Sequence, residues 1–215
     1  MRFHIQAILF DIDGTLVDST GAVIRTWKIW AAKRGIDAAE ILRVCHGRRS
    51  EDTVALFLPI DEQASATAEL EGLELADLDD VIALPATQTL LRDLPADRWA
   101  AVTSGSQALM RARLAAAGLP APRVLVAAED VSVGKPDPEG YLEAAATLGY
   151  DIDQCLVVED APAGIQAGRA AGAHTLAVAT SHSASDLTAA DTVVRDLTAC
   201  TVQRTADALV LTTTT

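Results

Sequence analysis

Five apolar bursts of strand length punctuate the chain, at residues 5–10, 99–102, 124–127, 155–158 and 175–179. Between them lie Ala- and Leu-rich stretches whose apolar positions recur at helical spacing. This alternation predicts an α/β fold, a parallel sheet whose strands are joined by crossover helices on both faces. It fails over residues 19–84, where Trp27, Trp30, Ile36, Ile41, Val44, Leu56, Leu70, Leu73 and Leu75 fall in helical patterns without a convincing strand. A small all-helical insert after the first strand is therefore expected, with Pro85 restarting a helix ahead of the second strand. The chain divides on this reading into 1–18 with 85–215 and an inserted 19–84. Polarity alternates again over residues 201–213 about Ala206–Asp207, which predicts a terminal hairpin.

Composition narrows the partners more than the fold. A chain of 215 residues, 50% apolar and 22% charged, has the make-up of an ordinary globular protein. Its net charge of -13 repels nucleic-acid backbones and anionic membranes, so neither is expected as a partner. The same field opposes an anionic substrate, so a phosphate pocket must carry its own cation or metal ion. Cys45, Cys155 and Cys200 have neither zinc-ligand nor C-x-x-C spacing and are expected as buried free thiols. With no apolar run of membrane-spanning length and no signal-like leader, a cytoplasmic location is expected.

Four segments carry the candidate chemistry, each at an expected strand-to-helix junction. The first strand runs into Asp11-Ile12-Asp13-Gly14, and in extended backbone residues i and i+2 point to one side, so both carboxylates can face one reaction volume. Asp11 can attack phosphorus while Asp13 protonates the leaving oxygen and later deprotonates water; a solvated Asp-x-Asp-Gly turn is the competing reading. The second segment, Thr103-Ser104-Gly105-Ser106, offers hydroxyls and free amides to phosphate oxygens, or a plain helix cap. The third sets Lys135 on a proline-bracketed turn, Gly134-Lys135-Pro136-Asp137-Pro138, ahead of a helix expected from about Asp137; there it can act as a point charge, or be a lone surface lysine. In the fourth, a buried strand runs into Glu159 and Asp160. Asp160, Asp11 and the Asp13 carbonyl can make a partial shell for Mg2+, with Glu159 beside it or acting through water; helix capping by Asp160 is the competing reading. A parallel topology brings all four junctions to one edge of the sheet, where they supply a full inventory for phosphoryl transfer.

These segments resemble the four signature motifs of the haloacid dehalogenase superfamily of phosphotransferases, over nearly the whole chain. The resemblance implies Asp11 as nucleophile, Asp13 as acid/base, Thr103 or Ser104 with Gly105 as phosphate cradle, Lys135 as charge clamp and Asp160 as magnesium ligand with Glu159 beside it. It also implies a Rossmann-like core with a mobile helical cap between the first two motifs, corresponding to the insert over 19–84. Narrower similarity lies in Trp27, in His46-Gly47-Arg48-Arg49, in residues 102–106 and 134–141 and in Glu159-Asp160-Ala161-Pro162-Ala163-Gly164. It is to the sugar-phosphate and polyol-phosphate phosphatases, relatives of 2-deoxyglucose-6-phosphate and glycerol phosphate phosphatases. His46, Gly47 and Arg49 are then candidates for contact with substrate hydroxyls or phosphate, Ser19, Thr20 and Trp27 weaker ones, and His4, His174 and His182 have no assigned role.

The expected activity is Mg2+-dependent hydrolysis of a small phosphorylated metabolite, by a monomer or, alternatively, a dimer. A β-phosphoglucomutase-like phosphotransferase and a non-catalytic metabolite-binding protein are the rival readings. Dehalogenation is disfavoured, because that reaction needs no phosphate-directed acid/base at Asp13.

Overall fold

Residues 7–10 read Ala-Ile-Leu-Phe and are buried on both faces, as a central parallel strand must be. The computed structural model describes residues 1–205 and 207–214. Its strands are β1 (Arg2–Ile5), β2 (Ala7–Phe10), β3 (Val17–Asp18), β4 (Ile82–Ala83), β5 (Trp99–Val102), β6 (Leu125–Val126), β7 (Cys155–Glu159), β8 (His174–Val178), β9 (Thr192–Val194), β10 (Cys200–Arg204) and β11 (Leu209–Thr213). Its helices are α1 (Thr20–Ala32), α2 (Ala38–Leu42), α3 (Ser50–Val54), α4 (Ile60–Ala76), α5 (Thr87–Asp93), α6 (Gln107–Ala116), α7 (Glu139–Leu148) and α8 (Pro162–Ala171).

The main sheet has the order β6-β5-β2-β7-β8-β9, with every neighbouring pair parallel. Side chains along β2 alternate between two apolar layers. Ile8 and Phe10 pack with Leu109, Met110 and Leu114 of α6 on one face, and Ala7 and Leu9 with Tyr141, Ala144 and Ala145 of α7 on the other. The result is an α/β Rossmann-like fold with helices on both faces.

Helices α1–α4 form a cap with an apolar cluster of its own, in which Trp27, Trp30, Ile41, Val54 and Leu70 are buried. Trp27 meets Trp30 edge to face, with centroids 5.3 Å apart, and the Trp30 indole N–H donates to the Ala66 carbonyl over 2.8 Å. Burying so large a ring is favourable only when its polar nitrogen finds such a partner. Among the described residues no helix is long and apolar enough to cross a membrane.

The strand pattern departs from expectation in three places. Residues 5–10 are two strands, because Gln6 breaks the run and donates its backbone N–H to the Gln154 carbonyl. β1 then pairs antiparallel with β11 in a second sheet, β1-β11-β10, while β2 enters the main one. The apolar character of residues 5–10 carries no mark of which partner strand each residue takes. The root of the insert is a short antiparallel ribbon, β3 with β4, where no strand was expected at residues 82–83. The main sheet also ends in β9, whose three residues are too few to show a period. The expected tail hairpin forms as β10 and β11, although Ala206, half of its anticipated turn, lies outside the described residues. Cys45 and Cys155 are buried free thiols as expected, but Cys200 is only half-buried. The helix expected from Asp137 starts at Glu139, with Pro138 at its cap.

Candidate active site

Because all six strands of the main sheet run the same way, the segments leaving their carboxyl ends gather along one edge. Asp11 follows β2, Thr103 and Ser104 follow β5, the Lys135 turn follows β6, Asp160 follows β7 and Ser181 follows β8. Asp11 is held at its backbone by donation to the Val158 carbonyl over 3.0 Å, which sets it beside the end of β7.

Lys135 is the hub. Its ammonium donates to Asp11 Oδ1 over 2.5 Å, to Glu159 Oε1 over 2.6 Å and to the Val102 carbonyl over 3.1 Å. Burial works against this charge, but the Asp11 and Glu159 carboxylates outweigh it and raise its pKa. Glu159 Oε1 also accepts the Tyr141 phenol over 2.9 Å, and Oε2 accepts the backbone N–H groups of Asp160 and Ala161. All four of its acceptor positions are thereby used within the chain. Glu159 fits beneath the first turn of α8 only because residue 164 is glycine: a Cβ there would lie 1.6 Å from Glu159 Oε1. Gly14 has a similar role beside Asp160, with φ of +84° and a Cβ position 2.1 Å from Asp160 Oδ2.

Asp160 accepts from the hydroxyls of Thr15, over 3.3 Å, and Ser181. Burial, then repulsion from Glu159, push its carboxyl up to about 7, partly offset by the Ser181 hydrogen bond. Burial also drives Asp11 well above the usual carboxylate range, with Lys135 pulling it down and Glu159 and Asp160 pushing it up. Oxygens of Asp11, Glu159 and Asp160 come within 4.8 Å of one another, and all three residues are buried. Three carboxylates round a single ammonium leave buried negative charge uncompensated, and the donors are all oxygen. That is the chemistry of a hard divalent cation site, and the residues fit Mg2+.

Asp13 faces the same cavity, a narrow space of about 90 Å³ between core and cap. Its Oδ1 accepts the Ser19 hydroxyl over 2.6 Å and its Oδ2 accepts Arg113 Nη1 over 2.7 Å. Thr103, Ser104, Gly105, His46 and Gly47 line this cavity with Asp11 and Asp160. The two hydroxyls of the expected cradle differ in their bonding: Thr103 Oγ1 accepts the Gly105 N–H over 3.1 Å, and Ser104 donates across to the Gly47 carbonyl of the cap over 3.0 Å.

The cap arginines change places relative to expectation. Arg49 pairs with Glu51 and Asp52 at 2.8 Å each and packs over Gly134 outside this cavity, whereas Arg48 lines it. An arginine followed at i+2 and i+3 by Glu and Asp at the start of a helix is readily held in place by them, which is the physical reason. His182, given no role from sequence, lies at the rim: its Nδ1 is 2.7 Å from Ser181 Oγ and its ring is 6.3 Å from that of His46. Arg113, Glu74 and Ser181 are further site residues that no motif marks. The only local signal for Ser181 was its place just beyond the end of a strand.

A buried carboxylate cluster around one lysine, at the carboxyl edge of a parallel sheet and beneath a helical cap, defines a hydrolase-type α/β enzyme. The chain belongs to the haloacid dehalogenase-like hydrolases: residues 5–172 match that family's model. It is 42% identical over 204 residues to hexitol phosphatase A of Escherichia coli, covering 93% of this chain and 94% of that protein. To 2-deoxyglucose-6-phosphate phosphatase 2 of Saccharomyces cerevisiae it is 35% identical over 225 residues, covering 94% and 92%. Among solved structures, a hydrolase from Pseudomonas syringae superposes with a TM-score of 0.80 at 29% identity, covering 89% of this chain and 94% of that one.

Proposed function

We propose that this protein hydrolyses small sugar or polyol phosphates through a phospho-aspartate on Asp11. The observation that carries this reading is the convergence of Asp11, Asp13, Lys135 and Asp160 on one buried edge under a cap. The relatives named above, a hexitol phosphatase and a 2-deoxyglucose-6-phosphate phosphatase, support a polyol or sugar as leaving group.

In the first step a carboxylate oxygen of Asp11 bonds to phosphorus, the phosphorus–oxygen ester bond breaks, and Asp13 passes its proton to the departing oxygen. In the second, Asp13 takes a proton from water as that water attacks phosphorus, which releases inorganic phosphate and restores Asp11. Lys135 holds Asp11 in place and balances charge near the transferring group. Thr103 and Gly105, with Ser104 beside them, cradle the phosphate oxygens. Asp11, Asp160 and the Asp13 carbonyl would hold Mg2+, and Glu159 fixes Lys135 and the Asp160 backbone beside them. Bound there, Mg2+ supplies charge neutralisation that lets an anionic substrate approach an anionic nucleophile. On the cap side His46, Arg48 and Trp27 face the cavity and contact the leaving group. We further assign residues 19–84 as the mobile unit whose docking excludes water.

The test is phosphate release from hexitol, hexose, glycerol and nucleotide phosphates with magnesium, with a chelator control and product analysis. Magnesium-dependent release from polyol or sugar phosphates is expected. An isomerised phosphate ester without release would overturn hydrolysis in favour of a mutase.

A further inference from the structure

Arg113 belongs to the last turn of α6, carries no sequence motif, and is almost wholly buried, its side chain 3% exposed. It lies between two carboxylates that come from different parts of the fold. Nη1 donates to Asp13 Oδ2 over 2.7 Å, and Nη2 donates to Glu74 Oε1, in the last turn of the cap helix α4, over 3.1 Å. Its Nε has no hydrogen-bond partner among the described residues. A guanidinium this deep is tolerable only while its carboxylates stay with it. Glu74 is itself a buried acid, 5% exposed, whose charge burial disfavours and whose contact with Arg113 offsets part of that cost.

A second contact runs parallel to the first. One turn earlier on α4, Glu71 accepts the hydroxyl of Ser106, the N-cap of α6, over 2.5 Å. Glu71 and Glu74 lie three residues apart, on one face of α4, so both are presented to α6 when the cap is docked. Asp13 is meanwhile held at its other oxygen by Ser19, the residue leading into α1 of the cap.

We propose that Arg113 is a positioning residue for the acid/base Asp13, and that Glu74 makes this positioning depend on the docked cap. With α4 in place, Arg113 is fixed between the carboxyl groups of Asp13 and Glu74 and holds the Asp13 carboxylate toward the cavity. With α4 withdrawn, Arg113 loses Glu74, gains water and no longer fixes Asp13 in one orientation. Proton transfer to the leaving group is thereby confined to the closed, dry cavity. The inference rests on Asp13 acting as general acid, so the experiment must separate failure of that reading from failure of this one.

The experiment compares kcat/KM for an alkyl phosphate, such as a hexitol phosphate, with kcat/KM for p-nitrophenyl phosphate, whose leaving group departs as a stabilised anion and needs little protonation. Because kcat/KM reports events up to phosphoryl transfer, the comparison isolates the acid step from later hydrolysis. Asp13→Asn is the reference and should depress the alkyl substrate by about 10²-fold or more while largely sparing the aryl one. Arg113→Met should lower the alkyl-to-aryl ratio by at least about tenfold, Glu74→Gln by less, and Arg113→Lys should recover part of the loss. A selective Asp13→Asn effect with unchanged ratios in Arg113→Lys and Glu74→Gln would overturn the proposal, as would equal losses on both substrates in Arg113→Met. Should Arg113→Met not fold, the two milder variants decide. An Asp13→Asn variant without selectivity would instead sink the acid/base reading itself.

Discussion

Lys135 Nζ lies 2.5 Å from Asp11 Oδ1, tying the turn after β6 to the end of β2 across 124 residues of sequence. The same ammonium holds Glu159, so two buried carboxylates share one cation. Lys135→Met should destabilise the fold by about 3–5 kcal/mol by leaving those carboxylates unpaired. It should also lower kcat by at least about 10²-fold. Lys135→Arg should not restore turnover, because a planar fork does not fit where a point charge is bonded on three sides. Thermal unfolding and phosphate release measure the two effects, and a Met variant with native melting and turnover would refute this account.

Two glycines make opposite predictions for one substitution. Gly164→Ala puts a methyl against Glu159 and should cost about 1–3 kcal/mol, with loss of activity as Lys135 loses its partner. Gly72→Ala, within α4 with open space at its Cβ position, should stabilise by about 0.5–1 kcal/mol and leave activity alone. Denaturant midpoints for both variants would expose an error in either assignment.

Magnesium should raise the melting temperature of the substrate-free protein. At about a hundredfold excess over Kd the gain corresponds to about 2.7 kcal/mol. Asp160→Asn, which removes an anionic ligand from the cluster, should reduce or abolish the shift without substrate present. A shift that survives intact in that variant places the ion elsewhere.

Glu74 should leave a mark on the pH dependence of stability. Burial, partly countered by Arg113, pushes its carboxyl from 4.5 up to about 7. Its pKa is raised on folding, so between about 4.5 and 7 the native state holds the extra proton. Stability therefore falls as pH rises through that window, by up to about 3 kcal/mol for this group. Glu74→Gln should flatten that part of the profile, gaining on the wild type as pH rises. Identical profiles would show that Glu74 keeps an ordinary pKa.

Ser106 caps α6 through the Leu109 N–H and also reaches Glu71 of the cap. Ser106→Ala should cost about 1 kcal/mol from the lost cap and loosen the docking of α4. Faster hydrogen exchange in residues 60–76 than elsewhere would register the loosening; uniform exchange would mean that the helix cap alone was lost.

The candidate catalytic groups were legible in sequence because each is local: a carboxylate, hydroxyl or lysine just past an apolar strand, with a glycine or proline to turn the chain. Gly14 was legible with them as the residue that turns the chain, but the crowding that bars a Cβ at Gly14 and Gly164 was not, because it comes from the side-chain carboxylates of Asp160 and Glu159. The cap was legible as an interruption of the strand rhythm. Its root ribbon and β9 were not, because two or three residues show no period.

Sequence alone determined the alternation of strands and helices, the helical insert and the four segments brought to one edge, because apolar periodicity and parallel crossover topology act at short range or by general rule. Only the tertiary structure decided that Arg113 meets Asp13 and Glu74, that Ser181 meets Asp160, and that Arg48 rather than Arg49 faces the cavity. Those contacts join residues 100, 39 and 21 positions apart, or turn on which of two adjacent arginines is held by neighbouring acids. They depend on how a cap docks and where side chains point, which local composition does not encode.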